Sequence, residues 1–235
     1  MTLRTYGCGA ARRLLFIACL LFIALCLGAL AGVAHADPIR IVAIGDSNFD
    51  PPGVDPDLTY PPKLQAALRA KGHDVTVVNA GHRGDQTKDV LHRLDRDVPA
   101  GTDIALIGVG VNDKAERVSS ETIGRNLDDI VHRLRERRIE VLLFGLGNPS
   151  DPNCCSGAGI AQRNGALFYR QFQDGVIDDA ALHVERQRPA PGSSLINGSK
   201  SATAWHLNPA GYDIVVQRTL PLVEELVAKA RAKRE

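Results

Sequence analysis

The sequence predicts an α/β fold built on a parallel sheet with helices on both faces. Short apolar runs recur along the chain, and longer amphipathic stretches separate them. The runs fit buried strands because they are short, apolar and bounded by turn-forming residues. They are Ile41–Ile44, Val75–Val78, Ile104–Val109 and Val141–Leu146.

The amphipathic stretches between these runs predict helices. Pro62–Lys71 has its leucines on one helical face and ends at Gly72, as a glycine at a helix end would require. Glu121–Arg137 places apolar residues at spacings of three and four. Pro209 starts a final helix, which Pro221 is expected to bend.

The region before the final helix is harder to interpret from the sequence. Ala161–Asp174 predicts a helix, and Leu182–Val184 is a candidate fifth strand. Arg186–Lys200 predicts an irregular loop, because it is rich in proline, glycine and serine. A loop of this length in a small domain is usually functional or disordered, so we expect it to shape a cleft.

Residues 1–36 are expected to be a signal peptide, which leaves residues 37–235 as a single domain. The apolar stretch Leu14–Val33 contains no charge, and Ala34-His35-Ala36 gives the small-x-small pattern of a cleavage site. An uncleaved membrane anchor is the alternative, because the stretch approaches the ~20 residues that span a bilayer. Cleavage after Ala36 predicts a secreted or periplasmic protein without a stable membrane anchor.

Charge and cysteine content exclude several classes of function. The chain has 28 Lys and Arg against 27 Asp and Glu, and three of the basic residues lie in the signal peptide. The mature chain is therefore slightly acidic, so we expect no nucleic-acid partner. It keeps the adjacent pair Cys154 and Cys155, which fits either two small loop residues or a redox-sensitive loop. No CxxC or HExxH pattern is present, so no metal site is predicted.

Ser47 is the candidate nucleophile and His206 the candidate base. Ile41–Ile44 runs directly into Gly45-Asp46-Ser47, which places the serine hydroxyl at the carboxyl end of a buried strand. A serine hydroxyl needs a base that takes its proton, and His206 stands just before the final helix. Taken alone, each residue also fits a structural role, the serine in a turn and the histidine in a helix cap.

The other candidate site residues lie in loops that follow predicted strands. Gly84, the side-chain amide of Asn112 and the N–H of Ser47 are candidate oxyanion donors, although plain turn roles also fit the first two. His82 is a rival base and, like Trp205 beside His206, a candidate pocket-lining residue.

Three aspartates adjoin these candidate residues. Asp46, Asp85 and Asp113 are expected to hold their own turns through hydrogen bonds to backbone groups.

These segments, in this order, resemble the SGNH (GDSL) hydrolase superfamily, and most closely its thioesterase I/lysophospholipase/arylesterase branch. The matching segments are Gly45-Asp46-Ser47, Asn79 through Asp85, Gly110-Val111-Asn112-Asp113 and His206. The resemblance implies a three-layer α/β/α sandwich with a five-stranded parallel sheet. It also implies ester or thioester hydrolysis through an acyl-serine, without metal or cofactor.

One position departs from the family pattern. The final segment of the family reads Asp-x-x-His, and Thr203 occupies the position of that aspartate. Neutralising the acid of a serine protease triad lowers kcat by about 10⁴. Three explanations stay open: a Ser47–His206 dyad helped by a backbone carbonyl or by the Thr203 hydroxyl, an acid from elsewhere, or weak hydrolysis. The residues that could supply another acid are Asp178, Asp179 and Glu185.

The sequence therefore predicts an exported serine esterase for small acyl, aryl or lysolipid esters. Two alternatives stay open. The same chemistry could remove O-acetyl groups from polysaccharides, so that the substrate would be a glycan ester. Alternatively, the fold could serve a weakly active or non-catalytic acyl- or glycan-binding protein, as the Thr203 position suggests.

Overall fold

The structure is a computed structural model that describes residues 37–146, 154–184 and 206–235. Five strands form one parallel sheet in the order β2-β1-β3-β4-β5. The strands are β1 (Ile39–Gly45), β2 (Val75–Gly81), β3 (Ile104–Gly108), β4 (Glu140–Phe144) and β5 (Leu167–Tyr169). The predicted five-stranded parallel sheet is confirmed.

Six α-helices accompany the strands in the described ranges. They are α1 (Tyr60–Ala70), α2 (Thr87–Asp97), α3 (Val111–Ala115), α4 (Ser120–Glu136), α5 (Cys154–Arg163) and α6 (Pro209–Ala232), with short 3-10 helices at Pro56–Leu58 and Ala180–Leu182. Helix α6 continues through Pro221. None of these helices is both long enough and apolar enough to cross a membrane.

The core divides into two apolar clusters, one on each face of the sheet. Successive side chains of a strand point to opposite faces, so Ile41 of β1 packs with α1 and α6. Its neighbour Val42 packs with α2 and α4 on the other face. Both faces of the sheet are thus covered, which explains why the strands read as continuous apolar runs. The predicted three-layer α/β/α sandwich is confirmed.

The fifth strand differs from the sequence prediction. Ala161–Asp174, predicted as a helix, contains only the end of α5 and then the strand β5. Leu182–Val184, the predicted fifth strand, contains the end of a 3-10 helix and one antiparallel bridge from His183 to Leu207. The loop Arg186–Lys200 and the side chains of Cys154 and Cys155 lie outside the described residues.

Candidate active site

The carboxyl ends of β1, β2 and β3 lie level with one another. Gly45 of β1 is in register with Gly81 of β2 and with Gly108 of β3. The next residues of each strand therefore enter one edge of the sheet, where clefts of open α/β sheets form. Ser47 follows β1, Gly84 follows β2 and Asn112 follows β3, so the register brings the three predicted segments to neighbouring positions.

Backbone and side-chain contacts fix the turn that carries Ser47. Asp46 N donates to Gly108 O at 3.0 Å, which ties the turn to β3. Phe49 N donates to Asp46 O at 3.1 Å, and the Phe49 ring is fully buried. That ring lies 5.5 Å, centroid to centroid, from the ring of Phe172. Ser47 itself is half-buried, so a tightly held turn presents a partly accessible hydroxyl.

Asp46 holds this turn, as the sequence predicts. Its Oδ1 accepts from Asn48 N at 2.9 Å and from Asn48 Nδ2 at 2.8 Å. Its Oδ2 is buried and has no hydrogen-bond partner among the described residues. Burial raises the pKa of Asp46 to about 7, against the lowering effect of the Asn48 hydrogen bonds. A carboxyl that ionises near neutral pH therefore adjoins Ser47.

Two of the predicted aspartate roles are wrong. The side chain of Asp113 accepts from Thr87 N at 2.8 Å and from Thr87 Oγ1 at 2.6 Å, so it holds the start of α2. The side chain of Asp85 accepts from Arg93 Nε at 2.7 Å. Both carboxylates bind α2 instead of their own turns, because that helix packs beneath the loops that contain them.

His206 stands immediately before α6, in a segment that is held on both sides. Its carbonyl accepts from Val184 N at 2.9 Å, and the neighbouring Leu207 bridges to His183. Asn208 then caps α6 by accepting from Gly211 N at 3.0 Å. The backbone of His206 is therefore fixed between the His183 segment and the helix start.

The imidazole of His206 resists protonation. Its burial lowers its pKa to about 4, and the charge of Arg83 and the proximity of His183 add to this shift. A histidine with this pKa is neutral at physiological pH, which is the form that can accept a proton. His206 is therefore in the unprotonated form that a general base requires.

Ser47 and His206 line the same cavity, which we name the Ser47 cavity. Most of its wall is apolar, and the polar residues Asn48, Gln171 and Gln173 also line it. The apolar lining residues are Val109, Val111, Phe144, Leu146, Phe172 and Ile177. This arrangement offers an apolar group a place beside the candidate nucleophile and the candidate base.

Of the candidate oxyanion groups, Ser47 lines this cavity, whereas Gly84 and Asn112 do not. Gly84 is exposed and has a φ of +82°, a conformation that glycine adopts without strain. Asn112 lies in the first turn of α3, and its Nδ2 donates to Asp85 O at 2.8 Å. The structure therefore joins the Gly84–Asp85 loop to Asn112 by a hydrogen bond.

Three other candidate residues, His82, Asp178 and Asp179, do not line the Ser47 cavity. His82 is exposed, with its Nδ1 3.9 Å from Asp85 Oδ2, and it does not line the Ser47 cavity. Asp178 and Asp179 are exposed, and Asp179 Oδ1 accepts from Ala181 N at 3.0 Å. Three predicted residues lie outside the described residues: Thr203, Trp205 and Glu185. Among the described residues, no group of His, Cys, Asp and Glu could hold a metal ion.

The wall of the cavity and one buried cation were missed by sequence reasoning. Phe144 is the last residue of β4 and Leu146 follows two residues later. The carboxyl end of β4 meets the same sheet edge as Ser47, so the order of the strands could have indicated both residues. Arg93 occupies a buried position on the apolar face of α2, three residues after Val90. A basic residue at a buried helical position signals a paired internal cation.

Comparison with known proteins places this chain in a family. The GDSL-like Lipase/Acylhydrolase family matches residues 43–214, a span that includes Ser47, Gly84, Asn112 and His206. The chain belongs to this family.

Individual relatives agree with the assignment to the GDSL-like family. The chain is 28% identical to the arylesterase of Vibrio mimicus over 131 residues, which cover 55% of this chain and 62% of that relative. The crystal structure of TesA superposes with a TM-score of 0.65 at 22% identity, covering 80% of this chain and 99% of TesA. AlinE4, an SGNH-hydrolase family esterase, gives 0.62 at 25% identity, covering 82% and 98%.

Proposed function

We propose that this chain is a serine carboxylester hydrolase that cleaves small acyl, aryl or lysolipid esters through an acyl-serine intermediate. The observation that carries the proposal is the presence of Ser47 and His206 on one apolar cavity at the carboxyl edge of the sheet. Membership of the GDSL-like family and the similarity to an arylesterase support it.

In the acylation step, Ser47 Oγ attacks the ester carbonyl carbon while His206 takes the hydroxyl proton. The carbonyl oxygen becomes an oxyanion, which in this proposal the N–H groups of Ser47 and Gly84 and the amide of Asn112 stabilise. Collapse of the tetrahedral intermediate breaks the bond to the alcohol oxygen. His206 returns its proton to that oxygen, so the alcohol leaves neutral and the acyl group stays on Ser47.

Deacylation repeats this chemistry with water as the nucleophile. His206 takes a proton from water, and the resulting hydroxide attacks the acyl carbon. The Ser47–acyl bond then breaks, and the proton on His206 returns to Ser47 Oγ. The low pKa of His206 leaves the imidazole neutral, and therefore able to accept a proton, at the start of both steps.

The cavity wall supports short acyl groups as substrates. Phe144 and Phe172 line the cavity, yet both rings are buried and pack against Phe49 in the core. A long alkyl chain that extended in this direction would have to displace that aromatic cluster. The cavity is also lined by the polar residues Asn48, Gln171 and Gln173, which would make hydrogen bonds to the alcohol portion of the ester.

A panel of p-nitrophenyl esters tests the proposed activity. We expect kcat/KM to be highest for acetate to hexanoate and at least about tenfold lower for palmitate, because the aromatic rings close the apolar cavity. Acetate release from acetylated glycans at a higher rate than from the aryl ester would favour the polysaccharide O-acetylesterase. Absence of turnover on every ester of the panel and on acetylated glycans would contradict hydrolysis and favour a binding protein.

We further propose that the enzyme is exported and matures by cleavage after Ala36. The proposal rests on the charged start, the apolar stretch and the small-x-small pattern of residues 1–36. We expect the chain recovered from outside the cytoplasm to begin at Asp37, as measured by N-terminal sequencing or intact mass. A membrane-bound chain that still begins at Met1 would contradict this proposal and indicate an uncleaved anchor.

A further inference from the structure

Arg93 of α2 is a buried cation that binds three segments around the candidate site. Its side chain is only 5% exposed. Nε donates to Asp85 Oδ2 at 2.7 Å, and Nη2 donates to Gly45 O at 2.9 Å. Nη1 donates to Ala80 O at 2.9 Å and to Asp97 Oδ2 at 2.6 Å. A planar guanidinium with a fixed fork of donors suits such a set of partners.

The partners of Arg93 are close in sequence to the groups that would bind an oxyanion. Gly45 is the last residue of β1 and stands two positions before Ser47. Asp85 directly follows Gly84, in the loop after β2. One guanidinium therefore fixes the backbone that leads to the nucleophile and the loop that contains a candidate donor.

The same contacts extend to Asn112 through Asp85. The Asp85 carboxylate binds Arg93, and the Asp85 backbone carbonyl accepts from Asn112 Nδ2 at 2.8 Å. This hydrogen bond uses one N–H of the amide and thereby fixes the plane in which its second N–H lies. The orientation of Asn112 thus depends on where Arg93 holds the Asp85 loop.

We propose that Arg93 is a positioning residue that sets the geometry of the oxyanion hole through Asp85 and Asn112. The inference rests on the proposed hydrolase function. Donors of an oxyanion hole act by being aimed in advance at the site of developing charge. A small displacement of the Asp85 loop would therefore slow the chemical step and leave substrate binding nearly unchanged.

The substitution Arg93→Lys tests this role, because lysine keeps the charge but lacks the planar fork. We expect kcat to fall about 10- to 100-fold, less than the 10²- to 10³-fold loss of a whole donor, while KM changes less than about twofold. Arg96→Lys is the matched control: Arg96 lies on the same helix, binds Asp97 at 2.6 Å and is 68% exposed. We expect this control to keep the parent kcat.

A double-mutant cycle separates positioning from a general loss of stability. In an Asn112→Ala background, Arg93→Lys should lower kcat by a clearly smaller factor than it does in the parent, because one of the donors that Arg93 positions is already absent. Independent losses that multiply would overturn the proposal. The proposal would also be overturned if Arg93→Lys raised KM and left kcat unchanged, with kcat calculated per active site counted by an active-site label.

A readout that does not need activity is the side-chain amide of Asn112 in a ¹H–¹⁵N correlation spectrum. The signal is assigned by its loss in Asn112→Ala. We expect it to move in Arg93→Lys and to stay in place in Arg96→Lys. An unmoved signal overturns the proposal whether or not the chain is active. If the parent chain hydrolyses no ester but the Asn112 signal still moves in Arg93→Lys, the coupling between Arg93 and Asn112 is retained and the hydrolase function is rejected.

Asp85→Asn provides a second variant should Arg93→Lys fail to fold. It removes the carboxylate but keeps the Asp85 backbone carbonyl that accepts from Asn112. Arg93 would still have a charged partner, because hydrogen bonds from Arg96 and Arg93 lower the pKa of Asp97 to about 2. We expect the same fall in kcat and the same movement of the Asn112 signal. A parent-like kcat and spectrum in this variant would overturn the proposal.

Discussion

Replacing Ser47 with alanine is expected to lower kcat on p-nitrophenyl acetate by about 10⁶, the scale seen when a serine nucleophile is removed from a hydrolase. Alanine has no hydroxyl to attack the carbonyl carbon, so no acyl-enzyme forms. The turn should survive the change, because the backbone bonds of Asp46 and Phe49 and the burial of the Phe49 ring hold it. The measurement is the steady-state hydrolysis rate of the mature chain and of the variant.

Ser120→Ala is the matched control for this experiment. Ser120 is an exposed residue at the start of α4, far along the chain from the nucleophile turn. We expect the control to hydrolyse the ester at the parent rate. Equal rates for the parent and for Ser47→Ala would refute the acyl-serine mechanism and point to another nucleophile.

The second large effect is the dependence of hydrolysis on pH. His206 acts as a base only when neutral, so activity is present above its pKa and is lost as pH falls through that value. With a pKa of about 4, close to nine-tenths of the imidazole is neutral at pH 5. An ordinary histidine would be only about 3% neutral there. We therefore expect kcat/KM at pH 5 to be near its plateau, about 30-fold above the value for an ordinary histidine.

Among the histidines, His206 alone should cause the loss of activity at low pH when it is protonated. His206→Ala should lower kcat by several orders of magnitude. It should also remove the acid limb, which is the fall in activity as the pH drops through about 4. His132→Ala, a change at an exposed position of α4, should leave the limb in place. Circular dichroism at each pH distinguishes protonation of the base from acid unfolding. Asp46 beside Ser47 also titrates near neutral pH, with a pKa of about 7. A loss of activity centred near pH 6.5 that persists in a folded Asp46→Asn variant would therefore show that the imidazole is not buried as described.

The sheet could be predicted from the sequence because its inner strands are buried on both faces. Burial on both sides requires continuous apolar runs, and such runs stand out between amphipathic helices. β5 gave no such signal, since its three residues are half-buried at the edge of the sheet. Leu182–Val184 contains two apolar residues, but among the described residues its one β-bridge joins His183 to Leu207. Short apolar runs of this kind do not reveal their partners.

The positions of the candidate nucleophile and base could be predicted because each is tied to a strand end or a helix start. Ser47 follows an apolar run, and His206 precedes an Asn-Pro helix start that is visible in the sequence. The roles of Asp85 and Arg93 could not be predicted in the same way. They depend on how α2 packs beneath two loops, and nothing in the local pattern shows that contact.

Labelling with a fluorophosphonate tests the central claim most directly, because the reagent bonds only to an activated serine. The purified mature chain is treated with the probe, its intact mass is measured and the modified peptide is mapped. We predict one label per chain, on Ser47, and no label in Ser47→Ala or His206→Ala. A folded chain that takes up no label, or that is labelled at another residue, would contradict the claim that Ser47 is a nucleophile activated by His206.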